Sequence, residues 1–142
     1  MGTMDQAMRM MEMHSKDMSM MDMEMDMSMM QECIEACSAC EQTCTMCAGS
    51  MMGGDDMMAC SAMCMNCADM SNTMMRMMLR PNGMKREPMM SMLQAMMVMC
   101  MACADECMKH ADMSDDCRMC AEVCRQCADS CKKMLDSMGP MS

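Results

Sequence analysis

The segment from Cys33 to Cys47 reads CIEACSACEQTCTMC, and its five cysteines follow one another at steps of four, three, four and three residues. This spacing keeps side chains on one face of an α-helix, which turns once in about 3.6 residues. Three later segments repeat the pattern, so that every cysteine of the chain lies on such a stripe. The stripes predict four helices that turn their thiols toward a common axis. Their members are Cys33, Cys37, Cys40, Cys44 and Cys47; Cys60, Cys64 and Cys67; Cys100, Cys103 and Cys107; and Cys117, Cys120, Cys124, Cys127 and Cys131.

Glycine and proline separate these segments and set the predicted helix boundaries. Four stretches without internal Gly or Pro cover residues 28–48, 56–79, 88–111 and 115–137. Asp55 and Ser114 are residue types that favour the N-cap, and Pro88 suits a first helical position. Helices of matched length joined by short loops pack as antiparallel neighbours. The sequence therefore predicts an all-α fold, an antiparallel up-down four-helix bundle.

The first 27 residues differ from the rest, because they are rich in methionine and acidic side chains. One pattern has helical spacing and consists of Met4, Met8, Met11, Met18, Met25 and Met29. Another alternates with polar residues as a strand would and consists of Met21, Met23, Met25, Met27 and Met29. We expect an additional N-terminal helix packed outside the bundle, and a flexible acidic arm is the alternative. The predicted organisation is an N-terminal helix or arm at 1–27, the bundle at 28–138 and a tail at 139–142.

Composition excludes several classes of function. The 142 residues include 40 Met and 16 Cys but no Phe, Trp or Tyr, so no aromatic platform can stack on bases or sugars. A net charge of −10 disfavours nucleic acid and anionic membranes as partners. No basic, continuously apolar leader begins the chain, and no uncharged stretch reaches the ~20 residues of a membrane span. We therefore expect a cytoplasmic protein, whose surroundings keep thiols reduced.

A tube lined with thiols has four possible explanations. Cysteine is too small to fill a whole core at native packing density, so simple core packing is disfavoured. Disulfides within a helix are geometrically strained, and a reducing cytoplasm opposes those between helices. Redox enzymes use one CxxC motif at a helix start rather than five cysteines in a row, so we expect no enzymatic activity. Metal binding remains.

The spacing of the cysteines selects the metal. Thiols four residues apart lie on one helix face with Cβ atoms about 5–6 Å apart, so that two sulfurs can flank one ion. Such two-coordinate sites suit Cu(I), which soft thiolate and thioether ligands select. We expect multiple Cu(I) ions along the axis, with third and bridging ligands from neighbouring helices. The candidate pairs are Cys33–Cys37, Cys40–Cys44, Cys60–Cys64, Cys103–Cys107, Cys120–Cys124 and Cys127–Cys131.

Four motifs make residues 28–138 resemble the bacterial copper storage proteins. They are C-x3-C-x2-C-x3-C-x2-C from Cys33, C-x3-C-x2-C-A-D from Cys60, C-x2-C-A-D-E-C-x-K-H from Cys100 and D-D-C-x2-C-A-E-V-C-x2-C-A-D-S-C from Asp115. The resemblance implies a cysteine-lined four-helix bundle that holds many Cu(I) ions, a homo-oligomer of four subunits, and a cytosolic location. It also implies that copper enters at one bundle end where His or Met residues lie, and His110 matches such a position.

Methionine is where the chain departs from that family, because Met replaces Leu, Ile or Ala at many positions. The expected bundle end opposite His110 consists of Met29, Met78, Met89, Leu93 and Met138, as an apolar plug or, alternatively, a second copper port. We expect a protein that stores and buffers Cu(I) on its sixteen cysteines, with His110 at the loading end. Two alternatives stay open: a metallothionein-like buffer for Zn(II) or Cd(II), and a methionine-enriched redesign of a copper-storage scaffold with inherited metal binding.

Overall fold

A computed structural model describes residues 2–18, 27–50, 55–80 and 85–139. Within these ranges every regular element is a helix, and no strand occurs. The five helices are α1 (Thr3–Met18), α2 (Met27–Ser50), α3 (Asp55–Met78), α4 (Arg86–Met108) and α5 (Asp115–Ser137). The predicted all-α class is confirmed, and the last four helices have 23 or 24 residues each.

Helices α2 to α5 form a closed ring in which each packs against the next and α5 packs back against α2. Cysteine contacts at both ends of α2 establish its direction relative to α5. Cys33 Sγ lies 3.8 Å from Cys131 Sγ, and Cys47 Sγ lies 4.0 Å from Cys117 Sγ. The start of α2 therefore meets the end of α5, which is the antiparallel arrangement that the loop lengths predicted.

The core has two parts, both contributed by the inward stripes of the four helices. Cysteines line the axis from one end of the bundle over most of its length. Large apolar side chains fill the other end and are fully buried. This second group, called the methionine end below, consists of Met30, Met74, Met78, Met89, Leu93, Met96 and Met134.

Several predicted boundaries were wrong by two or three residues. Helix α4 begins at Arg86, so Pro88 is its third residue rather than its first. Proline is tolerated there because N–H groups in the first turn have no partner within the helix. Helix α4 also ends at Met108, and the chain then turns, with His110 N–H donating to Cys107 O over 3.0 Å. His110 therefore lies in a turn and not in the predicted helix 88–111.

The remaining start and stop signals behave in different ways. Ser114 is the N-cap of α5, and its side chain accepts a hydrogen bond from Cys117 N–H, as predicted. Asp55 is the first residue of α3 rather than the residue before it. Helix α2 runs through Gly49 to Ser50, whose hydroxyl donates to Cys47 O over 2.9 Å. That bond satisfies a carbonyl that the helix end would otherwise leave unpaired.

Helix α1 packs on the outside of the bundle against α2. Met11 is only 4% exposed and belongs to the same apolar cluster as the bundle core. The predicted helical reading is therefore confirmed for the part that includes Met4, Met8 and Met11. Most of the alternating methionines lie outside the described residues, whereas Met27 and Met29 belong to α2.

Helix α4 is long and apolar enough, by length and composition, to cross a membrane. In the structure it is one wall of the bundle, because it packs against α3 and α5. Its buried stripe includes Met89, Leu93, Cys100 and Cys107. Part of the apolar surface of this helix is therefore buried in the bundle core.

Candidate metal centre

All sixteen cysteines are buried and free, and none is more than 2% exposed. The shortest separation between two sulfurs that we observe is 3.6 Å, far beyond the ~2.05 Å of a disulfide bond. The stripes thus place the thiols on one axis, as the spacing predicted. They form a continuous ladder of sulfur atoms in van der Waals contact.

The centre of the ladder has the geometry of a metal site. Cys40 Sγ lies 3.9 Å from both Cys44 Sγ and Cys124 Sγ, and Cys44 Sγ lies 3.6 Å from Cys124 Sγ. An ion at the middle of this triangle would be about 2.2 Å from each sulfur, close to the ~2.3 Å of a zinc–thiolate bond. The three thiols are therefore spaced for a metal ion without rearrangement of the helices.

Fourteen of the cysteines fall into five groups whose sulfurs all lie within 4.8 Å of one another. Cys40, Cys44, Cys120 and Cys124 each belong to two groups, so neighbouring groups share ligands. Sharing favours a chain of linked ions over isolated sites. The groups are Cys33, Cys37 and Cys131; Cys40, Cys100 and Cys127; Cys40, Cys44, Cys67 and Cys124; Cys44, Cys103, Cys120 and Cys124; and Cys47, Cys64, Cys107 and Cys120.

Cys60 and Cys117 lie outside these groups, at the end of the bundle near the α4–α5 turn. Cys60 Sγ is 3.7 Å from Cys107 Sγ, and Cys117 Sγ is 4.0 Å from Cys47 Sγ. His110 lies three residues beyond Cys107 and is 9% exposed. We call this the histidine end. It is the end at which all four helices contribute a thiol.

Two buried polar atoms lack a hydrogen-bond partner within the described ranges, namely His110 Nε2 and Ser71 Oγ. A buried polar atom without a partner costs free energy, so each invites an explanation. A ligand nitrogen at the histidine end would be free to bind a soft ion. Ser71 occupies the stripe position one turn after Cys67, and sequence reasoning assigned it no role. The sequence did contain a signal for Ser71, because this polar residue lies on a stripe that otherwise consists of cysteine and methionine.

Hydrogen bonds and burial divide the thiols by proton affinity. Burial raises the pKa of the Cys60 thiol to about 12, because a thiolate is poorly solvated there. The pKa of Cys44 is also raised, chiefly by its hydrogen bond with Cys103. In contrast, hydrogen bonds with neighbouring thiols lower the pKa of Cys120, and the bond with Cys103 has the largest effect. Thiols with a raised pKa hold their protons at neutral pH, so a metal has to displace them.

The predicted ligand pairs within single helices are only part of the arrangement. Cys40 and Cys44 do approach to 3.9 Å. Many of the closest contacts, however, join different helices, such as Cys64 with Cys107 at 3.6 Å and Cys37 with Cys127 at 3.7 Å. An ion between these sulfurs would therefore have thiols from two or more helices within reach. That neighbouring helices supply third and bridging ligands stays a prediction.

Comparison with known proteins identifies relatives of this arrangement. A family model described as copper storage protein matches residues 26–136. The copper storage protein of Streptomyces lividans loaded with 10 copper equivalents is 36% identical, with a TM-score of 0.77 over 80% of this chain and 88% of that chain. A structure of a cytosolic copper storage protein from the same organism, with five coppers, is 36% identical, with a TM-score of 0.76 over 79% and 96%.

A protein from Nitrosospira multiformis is also similar, at 29% identity and a TM-score of 0.63 over 77% of this chain and 96% of that chain. No protein with a curated description matches the sequence. The family match spans the four helices that carry all sixteen cysteines. The chain therefore belongs to the copper storage protein family.

Proposed function

We propose that this chain stores multiple Cu(I) ions on the thiol ladder and serves as a reserve of the metal rather than as an enzyme. The observation that carries the proposal is the unbroken series of sixteen buried, free thiols on one axis. Membership of the copper storage family supports the same function. In the related Streptomyces lividans protein, 10 copper equivalents are present in one structure.

Charge supports copper as the cargo. Each Cu(I) carries +1 and replaces one proton where the thiol is protonated, so it adds no net charge to the buried core there. A Zn(II) ion with four thiolates of its own would leave a charge of −2, and uncompensated charge is costly in a buried site. Soft thiolates also select Cu(I) among biological cations. Overlapping groups that share thiols fit a monovalent ion at up to about one per thiol.

The ligands in this proposal are the sixteen cysteines, with His110 as the first contact at the histidine end. His110 Nε2 is buried and has no hydrogen-bond partner within the described part of the chain. An imidazole nitrogen can bind copper. Copper would pass from His110 to Cys107, Cys60, Cys47 and Cys117 and then along the ladder. The methionine end is fully buried, which favours an apolar plug over a second copper port.

The assembly, the location and the domain division are also proposals. The resemblance to the family supports a homotetramer in the cytoplasm, and one related structure is described as cytosolic. Residues 28–138 would form the storage bundle, with residues 1–27 as an appended segment and 139–142 as a tail. The net charge of −10 supports the absence of nucleic acid and anionic membrane from the partners.

Anaerobic titration of the reduced chain with Cu(I), against a chromogenic Cu(I) chelator, tests the proposal. We expect the chain to withhold copper from the chelator up to the order of one ion per thiol. Saturation at one or two ions would refute storage. A chain with Cys40, Cys44 and Cys124 changed to Ser is the matched variant, and it should lose several ions together.

A zinc or cadmium buffer is the second candidate, because three of the thiol groups contain four cysteines within 4.8 Å, the number a tetrahedral ion needs. Addition of Cu(I) to the Zn(II)-loaded chain separates the two. Storage of copper predicts complete release of zinc. Retention of Zn(II) against an excess of Cu(I) would favour the buffer, and binding of neither metal would mean that the chain keeps the scaffold of the family without its metal binding.

A further inference from the structure

Helix α1 precedes the part of the chain that the family model matches, and its methionines lie on two different faces. Met11 faces α2 and is 4% exposed. Met10 and Met13 are 60% and 67% exposed. Packing against α2 accounts for Met11, because burial of an apolar side chain is favourable. It does not account for two large thioether side chains that face solvent.

Met10, Met13 and His14 occupy positions i, i+3 and i+4 of this helix. Side chains at these positions are neighbours on one helix face, with Cβ atoms about 5–6 Å apart. Met10 and Met13 also line the same open hollow, of about 450 Å³, together with Gln6, Arg9 and Glu12. The charges of Arg9 and Glu12 are opposite and offset each other there. Both methionine side chains therefore border one shared space, and helical spacing places His14 next to them.

We propose that Met10, Met13 and His14 form an exposed Cu(I) site on α1, with two thioether sulfurs and one imidazole nitrogen as ligands. Thioethers are soft donors that select Cu(I), and imidazole binds copper as well. The thioethers are neutral, so they hold copper less tightly than a thiolate does. The site fills only after the ladder and exchanges copper readily with solvent. This order of filling rests on the storage function proposed above, whereas the ability of the site to bind Cu(I) does not.

The test uses the full chain with carbon-13-labelled methionine methyl groups, under anaerobic conditions. Cu(I) is added until the thiolate-to-copper absorbance in the ultraviolet stops rising, and then further equivalents are added. We expect the methyl signals of Met10 and Met13, assigned by single Met→Leu changes, to shift over the next equivalent. A variant with Met10→Leu, Met13→Leu and His14→Gln should bind one equivalent of Cu(I) fewer at equilibrium.

Met4→Leu is the matched control, since Met4 is a 49% exposed methionine on the same helix but does not line the hollow with Met10 and Met13. It should retain as much copper as the unaltered chain. Unshifted methyl signals, or equal retention by the triple variant and the control, would overturn the inference. The two readouts separate the proposals. If the methyl signals of Met10 and Met13 shift but no thiolate-to-copper absorbance develops, the storage proposal is contradicted and the α1 site is not. If the absorbance develops fully but the methyl signals do not shift, the α1 site is contradicted and storage is not.

Discussion

Ser71 places a hydroxyl on the α3 stripe, one turn beyond Cys67 and one turn before Met74. It is fully buried, and its Oγ has no hydrogen-bond partner within the described part of the chain. At this level the inward side chains of α3 and α4 change from thiols to thioethers, whereas α2 and α5 still contribute Cys33, Cys37, Cys127 and Cys131. Ser71 therefore marks the border between the ladder and the methionine end.

Replacement of Ser71 by Ala should stabilise the metal-free chain. A buried polar group without a partner costs about 1–3 kcal/mol. The small cavity that alanine leaves is destabilising and offsets part of this gain. We expect the free energy of unfolding in urea to rise by about 1 kcal/mol. Ser61→Ala, at a half-buried position of the same helix, should change it by less than ~0.5 kcal/mol. Destabilisation by Ser71→Ala would imply a bond that the hydroxyl makes in solution.

His110 should affect the rate of copper loading more than the amount loaded. It lies at the histidine end, where Cys60, Cys107 and Cys117 begin the ladder. His110→Ala should slow the rise of the thiolate-to-copper absorbance several-fold in anaerobic stopped-flow measurements. Capacity should fall by no more than one equivalent, because the sixteen thiols remain. Lys109→Ala, at the neighbouring exposed residue, should leave the rate unchanged, and equal rates for both variants would remove His110 from the loading route.

At the scale of the element, the cysteine stripes made the helices and their inward faces predictable. A heptad-like stripe has one physical meaning, since only an inward face can hold so many small apolar thiols. Helix ends were less predictable, because α4 ends at Met108 without a glycine or proline to stop it. The turn that holds His110 depends on tertiary packing. The sequence also could not predict which sulfurs contact one another, because these contacts depend on the axial offset between neighbouring helices.

Ser114 fixes the start of α5, the helix that carries five of the cysteines. Its side chain accepts a hydrogen bond from Cys117 N–H at 3.2 Å, which satisfies one of the unpaired donors of the first turn. Ser114→Ala should therefore lower the free energy of unfolding of the metal-free chain by about 1 kcal/mol, measured by urea denaturation. Ser114→Asp restores an acceptor and should unfold like the original chain. An unchanged stability for the alanine variant would show that other contacts set this helix end.

The methionine end belongs to all four helices, and two substitutions distinguish a plug from a port. Met78 and Met134 are fully buried, on α3 and α5. Met78→Leu with Met134→Leu keeps side-chain volume and should change the free energy of unfolding by less than ~1.5 kcal/mol per site. If the end is a plug, Cu(I) capacity in the chelator titration stays the same. Met46→Leu is the control, because Met46 is 67% exposed on α2. A loss of equivalents, or slower loading than in this control, would identify a port.

At the scale of the whole molecule, the ladder resolves a conflict between burial and charge. Sixteen thiolates in one core would be prohibitively costly, so the metal-free core must hold most of its protons. Burial raises the pKa of Cys60 to about 12, and hydrogen bonding raises that of Cys44. Copper that replaces these protons leaves the chain at its formal net charge of −10. At the protonated thiols, copper can thus bind and leave without a change in buried charge.

The replacement of thiol protons by Cu(I) determines whether copper affinity rises or falls with pH. Because the raised-pKa thiols are protonated at neutral pH, each Cu(I) that binds releases a proton, and added acid competes with copper. Apparent affinity should fall as pH falls, by up to about tenfold per pH unit for each proton displaced, so that pH 5.5 is about 100-fold weaker than pH 7.5. Chelator competition at the two pH values, corrected for the chelator's own titration, measures the change. A pH-stat should record close to one proton per ion, and release of far fewer would mean that the thiols are already ionised in the metal-free protein.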